Sequence, residues 1–177
     1  MTRILILTGA PGVGKTTVLT KTVDALKAKG FSVGGMISRE VREGNVRVGF
    51  EILDLTNNKR GWLAHVNGLG PQVGKYHVNL DDLDSIGTTA ITQALEKSGA
   101  IAIDEIGPME LYSQKFKQAV TRVLESKKLV LTVVHGKAKD TLVTQVKRRV
   151  DAEIFNVTFS NREKLPDILT RKALNVS

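Results

Sequence analysis

The stretch that decides the fold is Gly9-Ala10-Pro11-Gly12-Val13-Gly14-Lys15-Thr16, which matches the pattern G-x-x-x-x-G-K-[ST] at every fixed position. Residues 3–8 before it form a short apolar run rich in strand formers, and residues 17–29 after it carry apolar side chains at helical spacing. A strand, a glycine-rich loop and a helix in this order are the setting in which the pattern forms a Walker A phosphate loop. The sequence therefore predicts a P-loop.

Each residue type in this loop has a physical reason to bind phosphate. The glycines let the backbone turn inward, so that its N–H groups and the positive end of the following helix surround the phosphates of a nucleotide. Lys15 would place a point charge on those phosphates, and the Thr16 hydroxyl would be a ligand to Mg²⁺. We expect every residue of the loop to line the nucleotide, and we expect Mg²⁺ to be the cofactor: Gly9, Ala10, Pro11, Gly12, Val13, Gly14, Lys15 and Thr16.

A second motif, Ala-Ile-Ala-Ile-Asp-Glu at residues 100–105, is typical of a Walker B element. Apolar residues of this kind cross the centre of a parallel sheet, and the acids emerge at its carboxyl edge. Asp104 would face the magnesium ion, and Glu105 would orient and polarise the attacking water. Acids here can also simply solvate a strand end, but the intact P-loop upstream favours the site. The expected nucleotide-binding set then includes Ile103, Asp104, Glu105, Ile106 and Gly107.

Composition narrows the class of protein. The chain has 177 residues, of which 41% are hydrophobic and 25% charged, as is ordinary for one globular domain. No apolar run is long enough for a membrane span, and the leading run is too short for a signal peptide, so we expect a cytoplasmic protein without membrane partners. The absence of cysteine excludes disulfides, thiolate metal sites and a cysteine nucleophile.

The formal net charge of +8 leaves a role in nucleic-acid binding open. The basic residues are scattered along the chain, however, and aromatic residues make up only 5% of it, which does not indicate a stacking platform for single strands. Attraction of polyanionic nucleotides explains the charge equally well. We rank binding to nucleic acid as possible but not expected. The sequence does not decide the oligomeric state, and we favour a monomer.

The segment at residues 31–80 differs from the rest of the chain because it is strand-rich. Strand patterns at 33–38, 46–55, 61–66 and 76–80 alternate with turn signals. About 50 residues of hairpins would be marginal alone. We therefore predict a single domain over residues 1–177 with an antiparallel meander inserted into it.

Helix and strand patterns alternate again after this insertion, which predicts an α/β fold with a mainly parallel sheet between helices. Four helices are expected. The first covers residues 83–97, and the last begins at about Leu165. Between them, one helix has an apolar face that includes Phe116 and Val120, and another has an apolar face formed by Leu142, Val143, Val146 and Val150. The expected strands lie at 100–105 and 129–134, with a last core strand at 154–157.

The chain resembles the small P-loop nucleoside-triphosphatase family that includes human cancer-related nucleoside-triphosphatase. The resemblance rests on the Walker A loop, on the strand exit Asp-Glu-Ile-Gly-Pro-Met-Glu-Leu at 104–111, and on the tail Phe-Asn-Val-Thr at 155–158 with Asn161-Arg162. It implies a sheet in which another strand separates the Walker A and Walker B strands. It also implies slow, base-tolerant hydrolysis of nucleoside triphosphates to diphosphate and phosphate.

Further candidates are less specific. His135, which follows the strand at 129–134, could sense the γ-phosphate, and Thr132 is a second possibility. The loop from Asn156 to Arg162 could approach the base or ribose, although a capped turn explains the same residues. Five arginines are candidates to stabilise the transition state in cis: Arg39, Arg42, Arg148, Arg149 and Arg162.

Two other functions stay open on the sequence alone. A small-molecule or nucleotide kinase uses the same loop, lysine and magnesium ligands, but Glu105 beside Asp104 favours activated water, and no acceptor-site motif is recognisable. A nucleotide-dependent nucleic-acid-binding protein is suggested only by the basic charge, and its ATPase rate should rise on addition of RNA or DNA.

Overall fold

A mixed sheet forms the framework of the protein in this computed structural model, which describes residues 1–176. Its nine strands in this part of the chain run in the order β5-β6-β4-β3-β2-β7-β8-β1-β9. The strands are β1 (Ile4–Thr8), β2 (Val33–Glu43), β3 (Val46–Asp54), β4 (Arg60–His65), β5 (Gln72–Val73), β6 (Tyr76–Val78), β7 (Ala100–Ile106), β8 (Leu129–Val134) and β9 (Ala152–Asn156).

Helices cover both faces of this sheet. They are α1 (Lys15–Ala28), α2 (Leu80–Asp82), a π-helical turn (Leu83–Thr88), α3 (Thr89–Lys97), a 3₁₀ turn (Glu110–Tyr112), α4 (Gln114–Glu125), α5 (Thr141–Lys147) and α6 (Leu165–Leu174). The predicted α/β fold is confirmed. Within residues 1–176, no helix is both long and apolar enough to cross a membrane.

The parallel strands place the ends of two motifs at one edge of the sheet. β8 pairs in parallel with β1 on one side and with β7 on the other, so it separates the Walker A strand from the Walker B strand as the resemblance implied. β9 pairs in parallel with the free side of β1. Because all four strands run the same way, the P-loop after β1 and the acids of β7 meet at their carboxyl edge.

The core has two halves, one on each face of the sheet, because successive side chains of a strand point to opposite faces. Ile4 and Ile6 of β1 pack with α3, α4 and α5 on one face, where Phe116 is fully buried. Leu5 and Leu7 pack with α1 and α6 on the other face. These buried layers hold the P-loop strand in place from both sides.

The strand-rich insertion extends the same sheet instead of packing as a separate layer. β2 pairs in parallel with β7 over Val33 to Met36, and in antiparallel fashion with β3 from Met36 onward. β3, β4, β6 and β5 then follow as an antiparallel meander. One strand is therefore shared by the parallel and antiparallel regions.

Two expectations about the region after β8 are wrong. α5 ends at Lys147, and Val150 is fully exposed. The turn behind it is held by Asp151, whose carboxylate accepts a hydrogen bond from Arg149 Nε at 2.8 Å and whose carbonyl accepts one from the Arg3 N–H at 2.9 Å. The last strand is also not a core strand, because β9 lies at the edge of the sheet and leaves Ile154 half-exposed.

The helical segment after β6 begins earlier than the expected residue 83. The Asn79 side chain accepts a hydrogen bond from the Asp82 N–H at 3.0 Å and caps α2. Asparagine is a favoured N-cap residue because its side-chain oxygen satisfies a free N–H of the first turn.

Candidate active site

The P-loop has the backbone that its glycines make possible. Gly9 and Gly14 have φ angles of 151° and 107°, in the region that favours glycine. A Cβ on Gly9 would also lie 2.7 Å from the carbonyl oxygen of Val157, closer than packing allows. The loop therefore needs glycine at this position both for its conformation and for its contact with the chain after β9.

Lys15 folds back over the P-loop. Its Nζ donates hydrogen bonds to the carbonyl oxygens of Gly9 at 2.7 Å and Ala10 at 3.0 Å. Inside the same loop, the Val13 N–H donates to the Ala10 carbonyl at 3.3 Å. The ammonium group consequently stands over the turn that the sequence assigns to the phosphates.

Asp104 lies next to the first turn of α1. Its carboxylate accepts a hydrogen bond from the Thr16 hydroxyl, and the side chain is buried at 2% exposure. Burial raises the pKa of Asp104 to about 7, and the repulsion of Glu105 adds to this, while Thr16 and Lys15 act in the opposite direction. The structure thus brings the two predicted metal ligands together.

The Asp104 site fits a hard cation such as Mg²⁺. Asp104 Oδ2 has no hydrogen-bond partner within residues 1–176, although a buried carboxylate oxygen normally has one. Among these residues, no group of three or more His, Cys, Asp or Glu side chains could hold a metal ion. A single carboxylate and a hydroxyl agree with the way Mg²⁺ is bound beside substrate phosphates, where it keeps several waters.

Glu105 follows on the same strand, and its carboxylate folds back toward Gly107. A Cβ on Gly107 would lie 2.6 Å from Glu105 Oε1, so glycine makes room for this orientation. Burial raises the pKa of Glu105, while the nearby charges of His135 and Lys15 oppose the shift. The carboxylate therefore lies between the P-loop lysine and the exit of β8.

Glu110 is a third buried acid at this edge, and sequence reasoning gave it no role. It is 2% exposed, its carboxyl accepts hydrogen bonds from the backbone N–H groups of Glu105 and of Glu110 itself, and its Oε2 has no partner among the described residues. Burial, with the repulsion of Glu105 and Asp104, raises its pKa well above the ordinary value. The only sequence signal was its place in the strand exit at 104–111, because it belongs to no periodic pattern.

Two of the three acids, Glu105 and Glu110, line a small cavity. Glu105, Glu110 and His135 line one side of a space of about 200 Å³, and apolar side chains that include Phe50 and Leu63 of the meander line the other. The insertion therefore closes the back of the site. This gives the carboxylate of Glu105 a partly apolar surrounding, which accounts for the direction of its pKa shift.

A second, more open cleft of about 570 Å³ lies over the tip of the P-loop. His135 and Lys147 border it on one side and Asn156 on the other. Lys147 Nζ donates to the carbonyl oxygens of His135 at 3.2 Å and Gly136 at 3.3 Å, which ties α5 to the exit of β8. Two of the less specific candidates, His135 and Asn156, thus border the P-loop.

Other candidates lie elsewhere. Thr132 is fully buried and its hydroxyl donates to the Ile103 carbonyl at 2.9 Å, so it does not face a phosphate. The side chains of Ile103 and Ile106 are buried in the core, which leaves only their backbone to contribute. Their carbonyls already accept hydrogen bonds, that of Ile106 from the His135 N–H at 3.1 Å.

Among the five candidate arginines, Arg162 contacts the P-loop. Its Nη1 lies 3.4 Å from the Val13 carbonyl oxygen. Arg42 is paired with Glu40 and Arg149 with Asp151, while the remaining two are exposed: Arg39 and Arg148. The position of Arg162 was not readable from spacing, because it depends on how the chain returns after β9.

Comparison with known proteins gives a consistent result. A family model described as NTPase matches residues 4–170. Nucleoside-triphosphatase THEP1 of Methanosarcina acetivorans is 47% identical over 175 residues, which cover 98% of each chain. THEP1 of Thermofilum pendens is 44% identical over 94% of this chain and 93% of its own.

Two solved structures are also similar. The solution structure of a human cancer-related nucleoside triphosphatase has a TM-score of 0.81 and 38% identity, with 97% of each chain covered. The crystal structure of THEP1 from Aquifex aeolicus has a TM-score of 0.82 and 29% identity, and the match covers 94% of this chain and 97% of that one.

Proposed function

This chain belongs to the NTPase family, and we propose that it hydrolyses nucleoside 5′-triphosphates to nucleoside diphosphate and phosphate. The observation that carries the proposal is the buried Asp104–Glu105 pair beside Thr16 and Lys15 of the P-loop. The relatives that are named nucleoside-triphosphatases support it. They do not favour the alternative of a kinase.

In this proposal the P-loop holds the β- and γ-phosphates with its backbone N–H groups, and Lys15 moves from the loop carbonyls to the phosphate oxygens. Thr16 and Asp104 are the protein ligands of Mg²⁺. When bound, the ion neutralises charge that develops on the phosphates. The orphaned Oδ2 of Asp104 supports this assignment.

Glu105 is the group that acts on water. Its carboxylate accepts a hydrogen bond from the attacking water, directs the oxygen at the γ-phosphorus, and takes the proton as the bond to the β–γ bridging oxygen breaks. A carboxylate with a raised pKa is a stronger base than an exposed one, and burial provides that shift here. His135 lines the same small cavity as Glu105, and its charge stabilises the ionised form of that carboxylate.

Base tolerance, a cytoplasmic location and a monomeric state remain predictions. The first follows from the P-loop, whose contacts reach phosphates that all nucleotides share. The NTP substrates proposed are therefore ATP, GTP, CTP and UTP alike.

The deciding experiment measures phosphate release from these four triphosphates in the presence of Mg²⁺, with identification of both products and with a panel of phosphoryl acceptors. We expect diphosphate and inorganic phosphate in equal amounts, without transfer to any acceptor. Lys15→Ala should lower turnover by about 100-fold or more while circular dichroism stays unchanged, because a charge needed in the transition state is lost. Stoichiometric phosphorylation of an acceptor would replace this proposal with a kinase.

A further inference from the structure

An exposed aromatic ring and an arginine lie together just after β9. Phe159 is 73% exposed, and the guanidinium carbon of Arg162 stands over its ring, 5.0 Å from the centroid. A single exposed apolar side chain is ordinary, and what distinguishes Phe159 is the arginine over its ring, which also contacts the P-loop. We call this pair the Phe159–Arg162 platform.

The platform is fixed to the P-loop. Arg162 Nη1 lies 3.4 Å from the Val13 carbonyl oxygen, and Arg162 Cδ would lie 3.6 Å from a Cβ built on Gly14. The loop that carries the platform is itself ordered by hydrogen bonds, since the Asn161 side chain accepts from the Thr158 N–H at 2.8 Å and donates to the Asn156 carbonyl at 2.8 Å. A preformed loop loses little freedom when a ligand binds to it.

The direction in which a bound nucleotide must lie points to this platform. In phosphoryl transfer the attacking and leaving oxygens are roughly in line through the γ-phosphorus. Glu105 belongs to β7, so the leaving diphosphate and its nucleoside extend away from β7. The strand order β7-β8-β1-β9 places β9 and the loop after it on the opposite side of the P-loop strand.

We propose that the Phe159–Arg162 platform is the nucleobase subsite, on which the base of the triphosphate stacks. The proposal rests on the proposed function for the placement of the γ-phosphate. Phenyl rings and guanidinium planes both stack on bases, and every base has a π-face, so the contact is strong without being selective. Among residues 1–176, the acid paired with Arg162 is the exposed Glu163, whose carboxylate lies 3.8 Å from the Arg162 Nε. This subsite gives base tolerance a structural origin.

The test compares ligands with and without a base. Dissociation constants are measured by isothermal titration calorimetry in Mg²⁺ for ATP, GTP, CTP and UTP, and for inorganic tripolyphosphate, with the parent protein and with Phe159→Ala, Phe159→Trp and Trp62→Ala. Trp62, on β4 of the meander and 36% exposed, supplies a matched aromatic control. Because Phe159 is exposed, its removal should leave the Tm unchanged.

We expect Phe159→Ala to weaken all four nucleotides by about tenfold and tripolyphosphate by less than about twofold. For Phe159→Ala, the KM for nucleotides should also rise while kcat is kept. Phe159→Trp should bind nucleotides as the parent does, and Trp62→Ala should behave as the parent. An unchanged affinity of Phe159→Ala for nucleotides overturns the subsite, and so does an equal loss for tripolyphosphate. A change of oligomeric state in sedimentation with unchanged nucleotide affinity would make the ring a contact between copies and would equally overturn it.

The two proposals fail in different ways. A parent protein that binds nucleotides more tightly than tripolyphosphate through Phe159, yet releases no phosphate, would refute hydrolysis and leave the subsite standing. Normal hydrolysis with base-independent binding would refute the subsite alone.

Discussion

Acidic side chains of this protein behave in opposite ways in two regions. At the exit of β7, burial raises the pKa values of Asp104, Glu105 and Glu110. On the surface, side-chain hydrogen bonds to Arg47, Lys117 and Arg149 lower the pKa values of three other acids: Glu40, Asp140 and Asp151.

The difference lies in the partners. Each surface acid has a cationic side chain within 2.6 to 2.8 Å, whereas none of the ion pairs among residues 1–176 includes one of the three buried acids. Burying carboxylates without fixed counterions reduces stability, so this arrangement is informative. It supports the proposal that the carboxylates at the β7 exit serve a ligand and a reaction.

Among the buried and surface acids, replacing Glu105 should have the largest effect. If its carboxylate takes a proton from water, Glu105→Gln lowers kcat by at least ~100-fold, while the affinity for ATP is retained because the P-loop is untouched. Single-turnover hydrolysis with ATP binding measured in parallel checks both effects. Near-normal hydrolysis would remove Glu105 from the reaction and favour phosphoryl transfer by another base.

Asp104→Asn should change both metal binding and stability. We expect the Mg²⁺ concentration for half-maximal activity to rise by about tenfold or more, since the ion loses its charged ligand. In the parent, apparent Mg²⁺ affinity should fall about tenfold for each pH unit below 7, because a proton then competes for Asp104. A magnesium titration that is identical in parent and variant would exclude Asp104 as a ligand.

Asp104 contributes a pH dependence to the free energy of unfolding that is opposite in sign to that of an acid whose pKa is lowered by folding. The folded-state pKa of about 7 exceeds the ordinary value of 3.8, so the folded state keeps a proton that the unfolded chain releases. Without Mg²⁺, the free energy of unfolding should therefore fall as pH rises between these two values. Asp104→Asn removes this loss, and its Tm at pH 7.5 in EDTA should exceed that of the parent by about 5 °C.

Two substitutions of Glu110 test whether this buried acid is needed for its size and hydrogen bonds or for its negative charge. Burial raises the pKa of Glu110 and so favours its neutral form, which glutamine matches in size and charge, so Glu110→Gln should keep both stability and kcat close to the parent values. Glu110→Ala leaves the Glu105 N–H without a partner, and we expect a loss of about 2 kcal/mol in unfolding free energy and about tenfold in kcat. Equal damage by both variants in urea unfolding and turnover would show that the negative charge itself is required.

Glu40→Gln should have the smallest effect, because the carboxylate that it removes is 44% exposed and screened by water. We expect a loss below ~0.5 kcal/mol at pH 7, and no change in kcat. Since the folded-state pKa of Glu40 is lowered, this small contribution should vanish as the pH falls below its ordinary value of 4.5. A loss comparable to that of Glu110→Ala would contradict the division into two regions.

Local patterns predicted the parts of the site that are local. The P-loop and the strand that carries Asp104 could be placed because glycine spacing and apolar runs fix them within a few residues. Glu110 could not, because its burial depends on the 3₁₀ turn that begins at this residue packing beside the meander. Arg162 acquires its position only when the chain after β9 returns to the P-loop.

The incorrect expectations have the same cause. Val150 continues a helical spacing, but ion pairs of Asp151 fix a turn that ends α5 first. Ile154 has the composition of a core strand, yet its exposure depends on β9 being at the sheet edge. Apolar periodicity reports which residues favour burial, and topology decides which of them are buried.

The shared strand β2 has a consequence for how this molecule could be shortened. Removing residues 31–80 would delete β2 together with the meander, and it would turn β7 from an interior strand into an edge strand. The backbone N–H and C=O groups of β7 that now pair with β2 would face solvent and offer a template for intermolecular pairing. The strand that carries Asp104 and Glu105 would then be a predicted aggregation site of the truncated protein.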